Sequence, residues 1–343
     1  GSIRRKFTSE KNMDQYFFEG TEKLLEVWFS TSDPNKDADL RNIKREKWVD
    51  LLSLVGCEIV SETKDRNMDS YVLSESSMFI SKDRFILKTC GRTTLLHAIK
   101  PLKNMVLDEC GFDIVGDLFY SRKKFMRPEL QNKPHQCFND EVSLLDDMFD
   151  NGAAYCLGRL NQDCWYLYTF DNVGVIQPDQ TLELLMSDLD PAVMKVFTKG
   201  KEGSLTAKEA TQKSGIADLL PDVVIDDFLF DPCGYSMNGL LPDSKYITIH
   251  ITPEKQFSYV SFETNVPKAS YKELVNKILS CFRPGKCLMT IFANEASMAR
   301  DTHLDFEDKL LAGYKKQDQQ LCKFKNYNLS YTHYTICPPA PPH

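Results

Sequence analysis

The sequence predicts an α+β fold built on antiparallel sheets, each with helices on one side. Short segments with alternating apolar and polar residues are interleaved with amphipathic segments of helical spacing, without the regular strand-helix-strand order of a parallel sheet. The order strand, turn, strand, polar linker, helix also occurs twice, near residue 80 and near residue 250. This repetition indicates two similar halves.

Three segments of the N-terminal half have the apolar spacing of a helix. Residues 21–29 and 45–55 are each predicted to pack one helical face on a sheet, and Gly56 is predicted to end the second helix. Residues 93–107 show the same periodicity, but Pro101 should kink or interrupt a helix there, since proline lacks the backbone N–H.

Strand patterns are clearest in two places. Residues 78–89 predict a hairpin around a polar turn at residues 81–84. Residues 246–251 place three isoleucines on one face of a strand and His250 on the other, and residues 257–262 predict the next strand. Both places therefore contribute neighbouring strands to a sheet.

The helix after the second strand pair has predicted boundaries at both ends. Residues 270–282 are amphipathic, Ser270 and Glu273 match the spacing of a capping box, and Pro284 with Gly285 should end the helix. The sequence therefore predicts a helix that packs one face on the second sheet.

The chain divides near residue 175 into two similar halves. We assign residues 16–175 to the N-terminal half and residues 176–330 to the C-terminal half. Residues 1–15, a polar leader, and residues 331–343, which end in a proline-rich run, are expected to be loose termini.

Composition excludes several classes of protein. The 343 residues are 42% hydrophobic and 27% charged, which is typical of a globular protein rather than a disordered or fibrous one. The formal net charge of −7 leaves no basic excess to neutralise phosphates, so nucleic acid is not an expected partner. An acidic protein instead favours small cationic ligands in a carboxylate-lined cleft.

The eleven cysteines are scattered and include no C-x-x-C pair, so neither a zinc site nor a disulfide scaffold is expected. Reduced thiols indicate a cytoplasmic protein. No segment resembles a signal peptide or has about 18 consecutive apolar residues, so no membrane association is expected.

The usual phosphate-binding glycine motifs are absent, and one glycine-rich stretch imitates a catalytic motif. Residues 234–239 resemble the nucleophile elbow of serine hydrolases with one residue too many, and His250 follows 14 residues after Ser236. A serine hydrolase is therefore an alternative function. Read alone, the stretch is more simply a glycine turn between elements.

Six blocks of sequence, taken together and in order, favour a different function. They are Tyr16-Phe17-Phe18-Glu19-Gly20-Thr21-Glu22-Lys23-Leu24-Leu25-Glu26, Tyr71-Val72-Leu73-Ser74-Glu75-Ser76-Ser77-Met78-Phe79, Leu87-Lys88-Thr89-Cys90-Gly91, Gln177-Pro178-Asp179-Gln180-Thr181-Leu182-Glu183, Phe230-Asp231-Pro232-Cys233-Gly234-Tyr235-Ser236-Met237-Asn238-Gly239 and His250-Ile251-Thr252-Pro253-Glu254. In this order they strongly resemble the eukaryotic S-adenosylmethionine decarboxylases, from about residue 16 to about residue 330. Each block alone is weakly specific, whereas the six together are highly specific.

The resemblance implies a proenzyme that makes its own pyruvoyl cofactor. The Ser76 hydroxyl would attack the carbonyl of Glu75, and elimination and hydrolysis would leave chains of 75 and 268 residues (343 − 75 = 268). Ser236 corresponds to the donor that stabilises the developing oxyanion, and His250 to the base that removes the Ser76 α-proton. Read without the resemblance, Ser76 is an ordinary turn serine and His250 a structural strand residue.

The same resemblance implies how the substrate is decarboxylated. The pyruvoyl carbonyl would form a Schiff base with the S-adenosylmethionine amine and accept electrons as carbon dioxide leaves, without metal or pyridoxal phosphate. Cys90 corresponds to the residue that returns a proton to carbon. The other ten cysteines are expected to be ordinary buried or surface residues.

Substrate contacts also carry over. Aromatic rings suit both the adenine face and the sulfonium charge, and the acidic residues Glu19 and Glu22 correspond to residues that affect activity in the family. Read alone, Glu22 is equally a solvated charge on a helix that begins near residue 21. The substrate-binding positions implied by the resemblance are Phe18, Leu73, Glu75, Phe230 and Glu254.

Animal members are activated by putrescine bound among buried carboxylates, and this chain keeps the acids that plant members partly replace by basic residues. The corresponding putrescine-binding residues are Glu26, Asp179, Thr181, Glu183, Glu263, Phe119 and Phe292, with Lys88 as a candidate bridge to the active site. Asp179 and Glu183 would share one face if a helix spans them. Putrescine is therefore expected to activate both processing and turnover.

The resemblance also implies that the two halves share one compact domain and that the N-terminal half carries the processing site. This domain would be a four-layer αββα sandwich, in which two antiparallel sheets face each other between outer helices. Animal members tend to be dimers, so a homodimer of processed chains is expected. A non-catalytic paralogue that activates a partner decarboxylase is a second alternative. The joint presence of Glu75-Ser76, Cys90, Ser236 and His250 argues against it. Arg92, directly after Gly91, is a bulky cation beside the candidate catalytic strand.

Overall fold

Two antiparallel sheets form the centre of the protein in a computed structural model that describes residues 17–199 and 205–338. The predicted leader, residues 1–15, lies outside the described residues, as do the last five residues of the proline-rich end.

The first sheet has eight strands, and all of them come from residues 23–170. Their order across the sheet is β2-β3-β4-β5-β1-β6-β8-β7, so the first strand of the chain lies at the centre. The strands are β1 (Lys23–Ser30), β2 (Ile59–Lys64), β3 (Asp69–Leu73), β4 (Ser76–Ile80), β5 (Arg84–Thr89), β6 (Ile114–Lys123), β7 (Gly152–Gly158) and β8 (Cys164–Phe170).

The second sheet has nine strands in the order β10-β11-β12-β13-β9-β14-β17-β16-β15. Apart from the short edge strand β15, this order repeats that of the first sheet, strand for strand. The strands are β9 (Gln180–Leu189), β10 (Val224–Leu229), β11 (Tyr235–Leu241), β12 (Lys245–Thr252), β13 (Tyr259–Thr264), β14 (Pro284–Asn294), β15 (Leu310–Leu311), β16 (Tyr314–Phe324) and β17 (Tyr327–Ile336).

Helices cover the outer face of each sheet and complete the four layers. The α-helices are α1 (Arg45–Val55), α2 (Ile99–Cys110), α3 (Phe138–Asp146), α4 (Pro191–Met194), α5 (Ala207–Lys213) and α6 (Lys272–Phe282). α1, α2 and α3 pack on the first sheet, and α5 and α6 pack on the second. Residues of both sheets meet between them, including Phe119, Leu167, Leu288 and Tyr327. The predicted αββα sandwich is therefore confirmed.

The prediction of a helix over residues 21–29 is wrong, because this segment forms the central strand β1, paired with β5 and β6. Both faces of β1 are covered, by helices on one side and the second sheet on the other. A strand buried on both faces has apolar residues in both positions of the two-residue repeat, so its pattern also fits a helix.

Two other N-terminal predictions are confirmed, and one needs refinement. The helix over residues 45–55 is observed, with Gly56 in the left-handed conformation (φ 87°) that ends it. The hairpin is observed as β4 and β5. Pro101 lies in the first turn of α2, where its missing N–H costs little, and a 3-10 turn (Leu95–Ala98) precedes that helix.

In the C-terminal half, the strands and α6 appear where the sequence predicts them, but the capping box does not form. α6 begins at Lys272, and Glu273 pairs with Lys277 instead of reaching back to Ser270. β17 continues to Ile336, which corrects the expected loose terminus after residue 330, since residues 331–336 pair with β14 and β16.

Candidate active site

The Glu75-Ser76 bond lies at the end of a tight hairpin between β3 and β4. Ser74 and Glu75 form the turn, and Leu73 pairs with Ser76 across it. Ser76 has φ 110°, in a region that non-glycine residues rarely occupy, at a cost of about 1–3 kcal/mol. Its hydroxyl is buried and has no hydrogen-bond partner in the described part of the chain. A strained backbone conformation and a buried hydroxyl without a hydrogen-bond partner among the described residues thus occur at one residue.

The carbonyl of the same bond is held by the turn that follows β5. The Cys90 backbone N–H donates to the Glu75 carbonyl oxygen (3.1 Å), and the Cys90 thiol donates to the Glu75 carboxylate (3.8 Å). Gly91 has φ 66°, and a Cβ there would lie 3.0 Å from Glu75 Oε2 and 3.2 Å from the Phe18 ring. Only glycine fits this turn, which brings Phe18, Glu75 and Cys90 together.

His250 reaches the hairpin from the opposite sheet. Its Nδ1 lies 3.0 Å from Ser236 Oγ, its cross-strand neighbour on β11, and its Nε2 lies 3.0 Å from Ser77 Oγ on β4. Thr248 Oγ1 is 2.9 Å from the same Nε2. The structure therefore places Ser236 and His250 together, directly across from the residue after Ser76.

The glycine-rich stretch around Ser236 is not a nucleophile elbow. Ser236 lies within strand β11 and is followed by strand β12 rather than by a helix. Such an elbow needs a sharp turn from a strand into a helix, so the geometry removes the support for a serine hydrolase.

The predicted substrate-binding residues border this hairpin in part. Leu73 and Phe230 are buried, and the Phe18 ring lies beside Gly91. Glu254 follows β12, and both of its carboxylate oxygens are shielded from water without a hydrogen-bond partner among the described residues. A buried carboxylate in this condition suits a ligand that donates hydrogen bonds, such as a ribose diol.

Glu19 and Glu22 are both buried, but only Glu22 bridges the two sheets. Glu19 accepts hydrogen bonds from the backbone N–H groups of Met126 and Arg127, and burial raises its pKa. Glu22 accepts from Tyr259 and Ser261 on β13. Burial raises the pKa of Glu22 to about 7, against the opposing charge of Lys88. Glu22 precedes a strand, not the helix that was expected to orient it.

A second polar site lies in a cavity between the sheets. Six of the seven residues predicted to bind putrescine line it, whereas Glu263 lies outside the lining and contacts Lys88 and Tyr246. The lining comprises Leu24, Glu26, Phe119, Ser121, Trp165, Leu167, Asp179, Thr181, Glu183, Thr290 and Phe292. Asp179 directly precedes strand β9 and Glu183 lies within it, so a strand and not a helix brings the two acids to this cavity.

Two buried cations partly neutralise these acids. Lys88 Nζ lies 3.1 Å from Glu183 and 3.0 Å from Glu263, and Arg84 lies 2.9 Å from Glu26. Burial opposes the charged form of Lys88, but the two carboxylates outweigh it and raise its pKa. Burial raises the pKa of Glu26 to about 7 even though Arg84 opposes the rise. The two cations therefore do not fully neutralise the carboxylates of this cavity.

Sequence reasoning missed several residues of both sites. It assigned no role to Arg84, nor to Ser77, Asn238 and Thr248, which surround His250. The two-residue repeat of a strand could have indicated them. Asn238 lies on the same strand face as Ser236, and Thr248 lies on the same face as His250. The sequence did not decide whether Arg92 reaches the candidate active site. Arg92 is exposed, and its carbonyl accepts a hydrogen bond from Asn132 (2.6 Å).

Two further findings concern metal ions and membranes. The described residues contain no group of three or more His, Cys, Asp or Glu side chains placed to hold a metal ion. Within the described ranges, no helix is long and apolar enough to cross a bilayer.

Comparisons with known proteins agree with this geometry. The family model described as adenosylmethionine decarboxylase matches residues 15–335. The chain is 51% identical to the S-adenosylmethionine decarboxylase proenzyme of Drosophila melanogaster, covering 93% of this chain and 96% of the relative. It is 52% identical to the proenzyme of Xenopus laevis, covering 94% and 97%.

A solved structure supports the fold. The chain matches a Trypanosoma brucei AdoMetDC-delta26 monomer with a TM-score of 0.57 at 23% identity, covering 76% of this chain and 99% of that one. With the family model spanning nearly the whole sequence and two relatives above half identity, the chain belongs to the adenosylmethionine decarboxylase family.

Proposed function

We propose that this chain is a proenzyme that cleaves itself between Glu75 and Ser76 and then decarboxylates S-adenosylmethionine. The product would serve as an aminopropyl donor in spermidine and spermine synthesis. The observation that carries the proposal is the Ser76 hairpin. A buried hydroxyl without a hydrogen-bond partner among the described residues lies there on a residue with a strained backbone conformation, next to a carbonyl that accepts from the Cys90 N–H.

Processing begins when Ser76 Oγ attacks the Glu75 carbonyl carbon. The C–N bond breaks, the Ser76 nitrogen takes up the hydroxyl proton, and an ester joins the two residues. The Cys90 N–H and the Ser236 hydroxyl stabilise the oxyanion. His250 then removes the Ser76 α-proton, and the Ser76 Cβ–O bond breaks, so that the new α-carboxylate of Glu75 leaves. The remaining dehydroalanine tautomerises to an imine, and water replaces its nitrogen, which departs as ammonia and leaves the pyruvoyl group.

The test is denaturing electrophoresis of the purified protein. We expect fragments of 75 and 268 residues, with the larger one blocked to Edman degradation because it has no free amine. A single intact band that persists after incubation with putrescine would contradict the proposal.

For decarboxylation, the residues around Ser76 fit a pyruvoyl group, which supplies a carbonyl that withdraws electrons from the substrate α-carbon. Phe18 and Phe230 would hold the adenine, and Glu254 would accept from the ribose hydroxyls. As carbon dioxide leaves, the electron pair on the α-carbon takes a proton from the Cys90 thiol. This thiol already lies against Glu75, the residue at the cleavage point.

Cys90→Ala is expected to raise the number of inactivation events per turnover. Without the positioned thiol, protonation of the substrate α-carbon slows, so protonation at the wrong carbon occurs more often. Product formed before activity is lost should be counted in a progress curve. Cys57→Ala is the matched control, since Cys57 is also a buried thiol. An unchanged ratio in the Cys90 variant would remove this residue from the mechanism.

Putrescine would occupy the cavity between the sheets. Its aliphatic chain suits the rings of Phe119 and Phe292, and its two ammonium groups would compensate Glu26, Asp179 and Glu183. Lys88 connects this cavity with Glu263, and its charge also reaches Glu22. Activation of processing and turnover would follow from this network, and equal rates with and without putrescine would contradict it.

Putrescine should stabilise the protein more at pH 8 than at pH 6. Burial raises the pKa of Glu26 from its usual 4.5 to about 7, so its contribution to stability is present at low pH and lost as the pH rises through 7. A dication favours the ionised carboxylate and restores that loss. Thermal unfolding at both pH values measures the difference.

The control ligand is 1-butylamine, which carries one charge and should stabilise less. Equal shifts in melting temperature at pH 6 and pH 8 would show that Glu26 does not titrate with binding.

A further inference from the structure

A cluster of hydroxyl groups around His250 is organised by one amide. Asn238 on β11 lies opposite Thr248 on β12, and its Oδ1 accepts from Thr248 Oγ1 (2.9 Å) and from Ser77 Oγ (2.5 Å). Ser77, Asn238 and Thr248 are at most 1% exposed. The amide Nδ2 has no hydrogen-bond partner among the described residues. Asn238 therefore acts here as an acceptor.

Counting protons assigns the histidine tautomer. Each hydroxyl carries one proton, and the contacts at 2.5 Å and 2.9 Å place both protons on Asn238 Oδ1, which is nearer to Thr248 Oγ1 than is Ser77 Oγ at 3.3 Å. With both protons on Oδ1, the contacts of these oxygens with His250 Nε2, at 3.0 Å and 2.9 Å, are satisfied by Nε2–H as the donor. In the neutral ring Nδ1 is consequently unprotonated, and it accepts the Ser236 hydroxyl proton at 3.0 Å.

We propose that Asn238 is a positioning residue for self-processing, which fixes His250 in the tautomer whose basic nitrogen is Nδ1. The inference rests on the proposed role of His250 as the base. During the attack on Glu75, the single Ser236 hydroxyl proton turns from Nδ1 to the oxyanion. Nδ1 stays unprotonated until it takes the Ser76 α-proton.

Nitrogen NMR of the histidine side chains tests the tautomer without any activity. The sample is the Ser76→Ala variant with labelled histidine, which stays one chain. The His250 signals are identified as those missing from the Ser76→Ala/His250→Gln variant. We expect Nδ1 unprotonated and Nε2 protonated. Adding Asn238→Leu should shift the population toward the other tautomer, whereas Asn238→Asp, which keeps an acceptor, should not. A protonated Nδ1 in the parent, or no shift with Asn238→Leu, would overturn the proposal.

Processing rates in the otherwise native chain give the second measurement. Asn238→Leu should slow cleavage about tenfold or more, since a base in the wrong tautomer loses most of its effect. Asn238→Asp should retain a rate within a few-fold of the parent, and Asn139→Leu on α3 should leave it unchanged. Equal slowing by the Leu and Asp variants would show that Asn238 serves only packing.

If Asn238→Leu does not fold, the double variant Ser77→Ala/Thr248→Val removes both hydroxyls and leaves Nε2–H without these acceptors. We expect mixed tautomers and slow cleavage, and an unchanged tautomer would overturn the proposal. A native chain that never cleaves, but shows the expected tautomer, would refute the proposed function and leave the role of Asn238 in fixing the ring intact.

Discussion

Ser76→Ala is expected to remain a single chain of 343 residues and to have no decarboxylase activity. Alanine has no hydroxyl to attack the Glu75 carbonyl, so the peptide bond persists whatever strain the hairpin holds. Denaturing electrophoresis after long incubation, with and without putrescine, measures the cleaved fraction. The expected loss is complete within detection.

Ser74→Ala is the matched control, since Ser74 lies in the same turn. Its hydroxyl accepts the Glu58 N–H at 2.9 Å, away from His250 and Cys90. This variant should cleave. Fragments of 75 and 268 residues from Ser76→Ala would mean that another residue is the nucleophile.

Lys88→Met should destabilise the protein by about 3–5 kcal/mol. Its ammonium is the shared partner of Glu183 and Glu263, and all three side chains are at least 93% buried. Removing the cation leaves two carboxylates close together without its charge. Urea unfolding should be measured in the Ser76→Ala background, where a single chain keeps the transition unimolecular.

Two comparisons separate this effect from lost packing. Adding Glu263→Gln to Lys88→Met should recover part of the stability, because one of the stranded charges is then absent. Lys277→Met, which breaks an exposed pair with Glu273, should cost less than about 1 kcal/mol. A loss of similar size for Lys88→Met would contradict the charge argument.

Local sequence patterns predicted elements with clear boundary residues better than the central strand. The helix α1 buries one face and ends at Gly56, and the hairpin β4–β5, although buried at every strand position, is marked by the polar turn at residues 81–84. β1 has both faces covered and neighbours on both edges, so its periodicity does not distinguish strand from helix. The segment that tertiary contacts determine most is therefore the one read wrongly.

The site shows a similar division. Family resemblance brought Ser76, Cys90 and His250 into one hypothesis, and the structure places them around one hairpin. Two contacts that were missed depend on how the sheets face each other, since Asn238 accepts from Ser77 of the first sheet and Arg84 lies 3.9 Å from Asp179, which directly precedes β9 of the second sheet. No periodicity along one strand specifies which residue will lie across a gap between sheets.

The central position of β1 has a consequence for the assembled enzyme. The proposed cleavage after Glu75 would assign β1, β2 and β3 to the small chain, and β5 and β6, which flank β1, to the large one. The small chain would then supply the central strand of the sheet and could not leave as a propeptide does. Folding would have to precede cleavage, and renaturation of the two denatured chains would be a bimolecular reaction whose rate depends on protein concentration.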